Sequence, residues 1–167
     1  MRPLALLVAI ACAIVFIAVS LHDYHQLPDR IASHFDITGT VNGWMGKTAF
    51  TSSMLAVGLG IPVLFIAAIY LMRFLPTQYL NLPGDSWRDP SHFRKACDYF
   101  LTITLWYAAA FLLWQTAFTH QIVAANLATP PRLDGQTAAL LVVPIFILTL
   151  AWIIAFIVRF FRPAWGG

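Results

Sequence analysis

Glutamate is absent from these 167 residues, lysine occurs only at positions 47 and 95, and charged residues of every kind make up 10% of the chain. Ordinary soluble domains carry about a quarter charged residues to keep their surface wet, so a water-soluble globule is excluded. The missing glutamate also removes a common general base, leaving histidine and aspartate for acid–base work. Cysteine is scarce too. Cys12 falls inside one apolar run and Cys97 near the end of another, so no disulfide framework is expected and both read as apolar filler. The chain has no GxSxG elbow, Walker A loop, GxGxxG, HExxH or CxxC, and with them go the motif-bearing hydrolase, nucleotide and zinc classes. No internal repeat, heptad pattern or low-complexity tract divides it.

What the chain does have is apolar length. Hydrophobic residues make up 60%, and they fall in four blocks: 3–21, 49–72, 96–119 and 138–158. Each approaches or exceeds the ~20 residues that cross a ~30 Å hydrocarbon core. In lipid such segments must be helical, because a helix satisfies its own backbone polar groups. The expectation is an all-α membrane protein, one domain over 1–167, with four transmembrane helices and a small ordered, hairpin-like cap over 22–48. Arg2 before an apolar run that continues up to Ala18-Val19-Ser20 resembles a signal peptide; the unbroken run favours an uncleaved anchor.

The net charge of +3 and pI near 9.1 do not point to nucleic acid, because the basic residues form no stripe. They divide by side. With the first helix entering from the cytoplasm, Arg2, Arg73, Arg88, Arg94, Lys95, Arg159 and Arg162 gather inside and Arg30, Lys47 and Arg132 outside, seven against three. That follows the positive-inside rule and places both termini in the cytoplasm. Trp44, Tyr79, Trp87 and Trp165 fall near the expected interfaces.

Within the spans, Ala56 and Gly60 form a small-xxx-small step suited to close helix contact, and Pro62 and Pro144 read as packing or kink positions. The inner loop 73–95 carries a Pro83-Gly84-Asp85 turn, then Asp89-Pro90 as N-cap and first-turn proline of the third helix. Asp98, the lone ionisable residue in the spans, sits close to Arg94 and Lys95 and suggests an interfacial ion pair rather than a proton relay.

The polar chemistry concentrates in 22–48. From Arg30 to Thr38 the residues alternate: Ile31, Phe35 and Ile37 on one face, Arg30, His34, Asp36 and Thr38 on the other. Period two indicates an extended segment with one packed and one wet face, and Gly39 and Asn42-Gly43 supply turns. A short amphipathic helix over Ile31, His34 and Phe35 is the alternative. The extended form puts His34 beside Asp36, an arrangement that serves acid–base chemistry, a metal or a structural hydrogen bond. His22, His25, His34 and His120 all fall on the outer side, so zinc or copper is the cofactor alternative; the base expectation is none.

The run Leu27-Pro28-Asp29-Arg30-Ile31 … His34-Phe35 … Gly39 … Asn42-Gly43-Trp44 … Lys47 resembles a bacterial membrane family, domain of unknown function 1648, with its LP-x-x-I-x-x-HF core, a glycine, a DGW-like turn and a lysine between two membrane helices. Asn42 stands where an acidic residue is usual. Asn81-Leu82-Pro83 … Trp87 … Pro90 … Arg94 is similar to the NLP-x-x-x-W segment of its short members. A related domain occurs in immunity proteins against a secreted sporulation-delaying toxin. The resemblance implies a small protein of the bacterial cytoplasmic membrane, non-enzymatic, binding or sensing an envelope ligand through its outer loop. Its partners would be the bilayer and a membrane or envelope protein or secreted peptide, with no nucleic acid. The residues expected to matter are Arg30, His34, Asp36, Gly39, Trp44 and Lys47. The alternatives are a metal-dependent or His34/Asp36-based enzyme or accessory factor, and a structural subunit of a membrane complex.

Overall fold

The computed structural model describes residues 2–36, 38–81, 87 and 89–161, apart from the Thr137 side chain. Four helices carry the fold: α1 (Arg2–Gln26), α2 (Lys47–Met72), α3 (Pro90–Leu127) and α4 (Gly135–Phe161). All four are long and apolar enough to cross a membrane. Between α1 and α2 stand two short strands, β1 (Arg30–Phe35) and β2 (Val41–Gly46), paired antiparallel. The expected hairpin is therefore present, and the short amphipathic helix is not.

The helices run beyond their apolar blocks. α1 continues through His22 and His25 to Gln26, and α3 reaches 38 residues, ~57 Å of helix at 1.5 Å per residue. The extensions are polar and could not be read from apolar run length. α3 begins as expected: the Asp89 side chain accepts from Ser91 N at 2.8 Å, and Pro90 fills the first turn, where its missing N–H costs nothing. The carboxyl is held below the usual carboxylate range, first by the Ser91 backbone N–H and then by its hydroxyl.

α3 is the central element. α1 lies along it through Ala9, Cys12 and Phe16 against Ala109 and Leu112. α4 meets it near the other end, where Trp152, Phe156 and Phe160 surround Phe100. A third cluster joins the hairpin to the helices through Leu27, Ile31, Phe50, Ile122 and Val123. The outward surfaces of α1, α2 and α4 present large apolar side chains such as Ile14, Leu64, Leu140 and Phe146.

Several local expectations need correcting. Close helix approach occurs at Gly58, where an added Cβ would collide with the Phe16 ring and crowd Gln115, whereas Gly60 faces open space. Two residues are about 200° apart on a helix, so the Ala56/Gly60 step points away from the contact. Trp87 is buried, stacked on Phe160 at 5.5 Å and edge-on to His92 at 4.8 Å, so it is core and no interfacial ring. Among the described residues Asp98 pairs with Arg2 at 3.2 Å and Arg73 at 3.4 Å, not with Arg94 or Lys95. Arg94 and Lys95 lie on the same side of α3 one turn away, but the carboxylate is taken by the arginines at the start of α1 and just past the end of α2. The Pro83-Gly84-Asp85 turn, Arg88, Arg162 and Trp165 lie outside the described residues.

Candidate functional site: a clamped hairpin

The hairpin register pairs Arg30 with Gly46, Ile31 with Met45, Ala32 with Trp44, His34 with Gly43 and Phe35 with Val41, with irregularities on both sides of His34. Ile31, Met45 and Phe35 turn toward the helices and join the third cluster. Arg30, His34 and Trp44 are exposed, and the Arg30 guanidinium lies over the Trp44 ring at 5.9 Å. Gly43 sits against His34, where an added Cβ would come within 3.0 Å of the imidazole. A side chain there would press on the imidazole, which would have to give by a few tenths of an ångström.

Three anchors fix the hairpin to the bundle. The first is Asn126 on α3, buried and aimed at β1. Its Oδ1 accepts from Ala32 N at 2.7 Å, and its Nδ2 donates to Ala32 O at 2.9 Å, so one amide acts as the next strand. The second is the tip. Gly39 adopts φ +79°, Leu133 N donates to Gly39 O at 3.0 Å, and an added Cβ at Gly39 would collide with the Leu133 carbonyl. Thr40 forms a bridge with Arg132 beside it. The third is Lys47, at the β2–α2 junction. Its Nζ meets Asp29 Oδ1 at 3.0 Å and the Leu27 carbonyl at 3.4 Å, and it lies over the Tyr24 ring at 5.3 Å. Gly39 and Lys47 thus hold shape.

Asp36 also works locally. Its Oδ1 accepts from Thr38 N at 2.8 Å, Thr38 Oγ1 at 2.7 Å and Thr40 N at 3.0 Å. These contacts, the Thr38 hydroxyl foremost, hold its carboxyl below the usual carboxylate range. His34 instead has its Nδ1 3.0 Å from Ser33 Oγ. The His34–Asp36 pair expected from alternation is not formed, because the register irregularities at His34 break the period of two on which it depended.

The His–Asp pair that the fold does build is elsewhere. His120 Nδ1 lies 3.1 Å from Asp23 Oδ2 and 3.3 Å from Oδ1, joining α3 to α1. The Asp23 side chain is 2% exposed and that of His120 58%. Asp23 lies beyond the apolar block 3–21, so apolar run length alone does not point to it. The buried residues of α1 are Ala5, Ala9, Cys12, Phe16, Ser20 and Asp23, and extending that spacing of three and four would have put Asp23 on the inner stripe. Asn126 left no comparable signal, since its partner is 94 positions away.

The remaining candidates for a metal keep separate company. His22 Nε2 lies 2.8 Å from Gln26, and His25 packs edge-on to Tyr24 at 5.7 Å. Among the described residues no three His, Cys, Asp or Glu side chains gather closely enough to hold a metal ion.

Residues 6–60, covering most of α1, the hairpin and the first half of α2, match the sequence model of a family described as domain of unknown function (DUF1648). The resemblance carried by Leu27-Pro28, His34-Phe35, Gly39, Gly43-Trp44 and Lys47 is borne out over that segment. No curated protein and no solved structure matches the chain.

Proposed function

We propose that this is a small integral protein of the bacterial cytoplasmic membrane, with both termini in the cytoplasm, that recognises an envelope ligand through its hairpin. The ligand class is a secreted peptide or another envelope protein, and the role is immunity-like or sensory rather than enzymatic. The observation that carries this reading is the exposed Trp44–Arg30 pair on a hairpin clamped at its edge, tip and base, with His34 also exposed on that hairpin. An aromatic and an arginine held on an ordered scaffold are the side chains most often found at binding hot spots. Four long apolar helices, their outward apolar side chains and the seven-to-three division of basic residues support the membrane and its orientation.

Topology is tested with single cysteines in a background lacking Cys12 and Cys97. Thr40→Cys should react with an impermeant thiol reagent added to intact cells, and Tyr79→Cys, 78% exposed before substitution, only after lysis. The reverse pattern refutes the orientation. Recognition is tested by placing a photo-crosslinking amino acid at position 44, and at Phe146 on the outer surface of α4 as control. A discrete adduct from position 44 alone, lost on Arg30→Ala or His34→Asn at unchanged melting temperature, is the expected result. No adduct, or equal adducts from both positions, contradicts a hairpin binding face.

A further inference from the structure

One furrow in the bundle has no part in the hairpin site. α1 and α2 each lie along α3 and touch one another sparingly. In the hairpin half they close, because Gly58 lets the Phe16 ring reach α2. Toward the other end they part, and two connected hollows open between them. The smaller one, about 160 Å³, is walled partly by the small residues Ala9, Ala13 and Ala108. The other, about 360 Å³, runs on to Arg2 and Tyr70. They share Leu6, Ile66 and Leu105, so the furrow is continuous and apolar along its length. From Arg2 to Ala13 it follows ~16 Å of helix, about half the thickness of a hydrocarbon core. That is the depth of one leaflet.

Among the described residues, the charges at its mouth do not cancel. Arg2 and Arg73 both direct Nη1 to the same oxygen, Asp98 Oδ1, at 3.2 and 3.4 Å. Two cations therefore share one carboxylate. Arg73 also lies over the rings of Tyr70 and Phe74 at 5.6 and 5.5 Å, which limits its freedom. Each guanidinium has five N–H donors in a planar fork, so donors remain for a further anion.

We propose that this furrow binds one acyl chain of an anionic glycerophospholipid from the surrounding leaflet, with its phosphate against Arg2 and Arg73. The chain fills an apolar slot of leaflet depth, and the headgroup balances the surplus positive charge. A zwitterionic lipid fits the slot but sets its own ammonium beside the arginines. The inference rests on the membrane reading above and is independent of what the hairpin binds.

The test is native mass spectrometry of the full chain, delipidated in non-ionic detergent and titrated with phosphatidylglycerol or with phosphatidylcholine of matched chains. Glycerol phosphate serves as the headgroup-only arm. One phosphatidylglycerol should be retained at concentrations where phosphatidylcholine and glycerol phosphate are not. Arg2→Gln with Arg73→Gln should weaken it by about tenfold or more, while the two Arg→Lys changes retain most of the binding. Leu6→Trp, at a position 47% exposed, should block the slot; if that variant misfolds, Ile10→Trp takes its place. Equal binding of both lipids, an adduct that survives the tryptophan, or saturation by glycerol phosphate alone overturns the proposal. A reversed thiol-labelling pattern with the adduct intact removes the hairpin's orientation and leaves the lipid site standing. Normal labelling without an adduct removes the lipid site only.

Discussion

Asn126→Ala is the sharpest test of whether the hairpin is held by the bundle. The Asn126 amide makes three hydrogen bonds: it accepts from Ala32 N at 2.7 Å and donates to Ala32 O and Ile122 O, both at 2.9 Å. Asn126 is 7% exposed and Ala32 0%, so solvent does not readily replace the lost partner. The two bonds to β1 contribute about 1 kcal/mol each, and a buried N–H left without an acceptor costs about 1–3 kcal/mol more. A total near 3 kcal/mol corresponds to roughly two orders of magnitude in local opening. Hydrogen–deuterium exchange in detergent should therefore show the Ala32 amide and the β1–β2 ladder exchanging about a hundredfold faster, while the middle of α3 is unchanged. Asn126→Asp should be no milder, since the oxygen replacing Nδ2 would face the Ala32 and Ile122 carbonyls. Protection of Ala32 within about threefold of the parent protein would show that strand pairing and the apolar cluster beneath suffice, and the clamp would be incidental.

Gly39→Ala should lower the melting temperature and free the tip, because alanine is strained at φ +79° and its Cβ collides with the Leu133 carbonyl; an unchanged melting temperature refutes the docking at the tip. Asp36 gives a pH dependence. Its carboxyl is depressed in the folded protein relative to the ordinary value of 3.8, so its contribution is complete above that value and fades as pH falls through the lower folded pKa. Amide protection of Thr38 and Thr40 should then persist through the ordinary carboxylate range and fall only below it, and Asp36→Asn should flatten the profile. Phe35→Asp should destabilise the protein more than Thr40→Asp, because Phe35 packs on the cluster under the hairpin and Thr40 is exposed; equal melting temperatures would argue against a packed face.

The four apolar runs and the hairpin were legible because each rests on a local signal: apolar length for the helices, alternation of Ile31 and Phe35 with Arg30, His34 and Asp36 for β1, glycine at 39 for the turn. The Asp89-Pro90 start of α3 was legible for the same reason. What escaped depends on distance through space. The Asp23–His120 pair and the Asn126 clamp join residues 97 and 94 positions apart, and no window on the sequence contains both partners. The partners of Asp98, Arg2 and Arg73, likewise come from the ends of other helices, and spacing along α3 points only to Arg94 and Lys95. Strict alternation sets His34 beside Asp36, but it does not register the irregularities at His34, which change facing without changing composition.

The positions that carry the family resemblance divide by what they touch. Leu27 and Ile31 are in the core, Gly39 is fixed by a positive φ and a carbonyl, Gly43 yields room to His34, and Lys47 ties the strand end to Asp29 and the Leu27 carbonyl. Each of these is accounted for by the need to fold and seat one hairpin, so their recurrence in the motif specifies a shape and carries no information about a ligand. Arg30, His34 and Trp44 are left with exposed side chains on that shape, and a cation–π contact of Arg30 over Trp44 contributes only about 0.5–1 kcal/mol at an exposed site, too little to account for exposing an indole. An indole 48% exposed on a clamped strand suits headgroup level in a membrane, and on the proposed reading it is also the part of the hairpin that a ligand covers. On that reading Arg30, which lies over Trp44, would set selectivity for that ligand, while Gly39, Gly43 and Lys47 shape the hairpin that presents it.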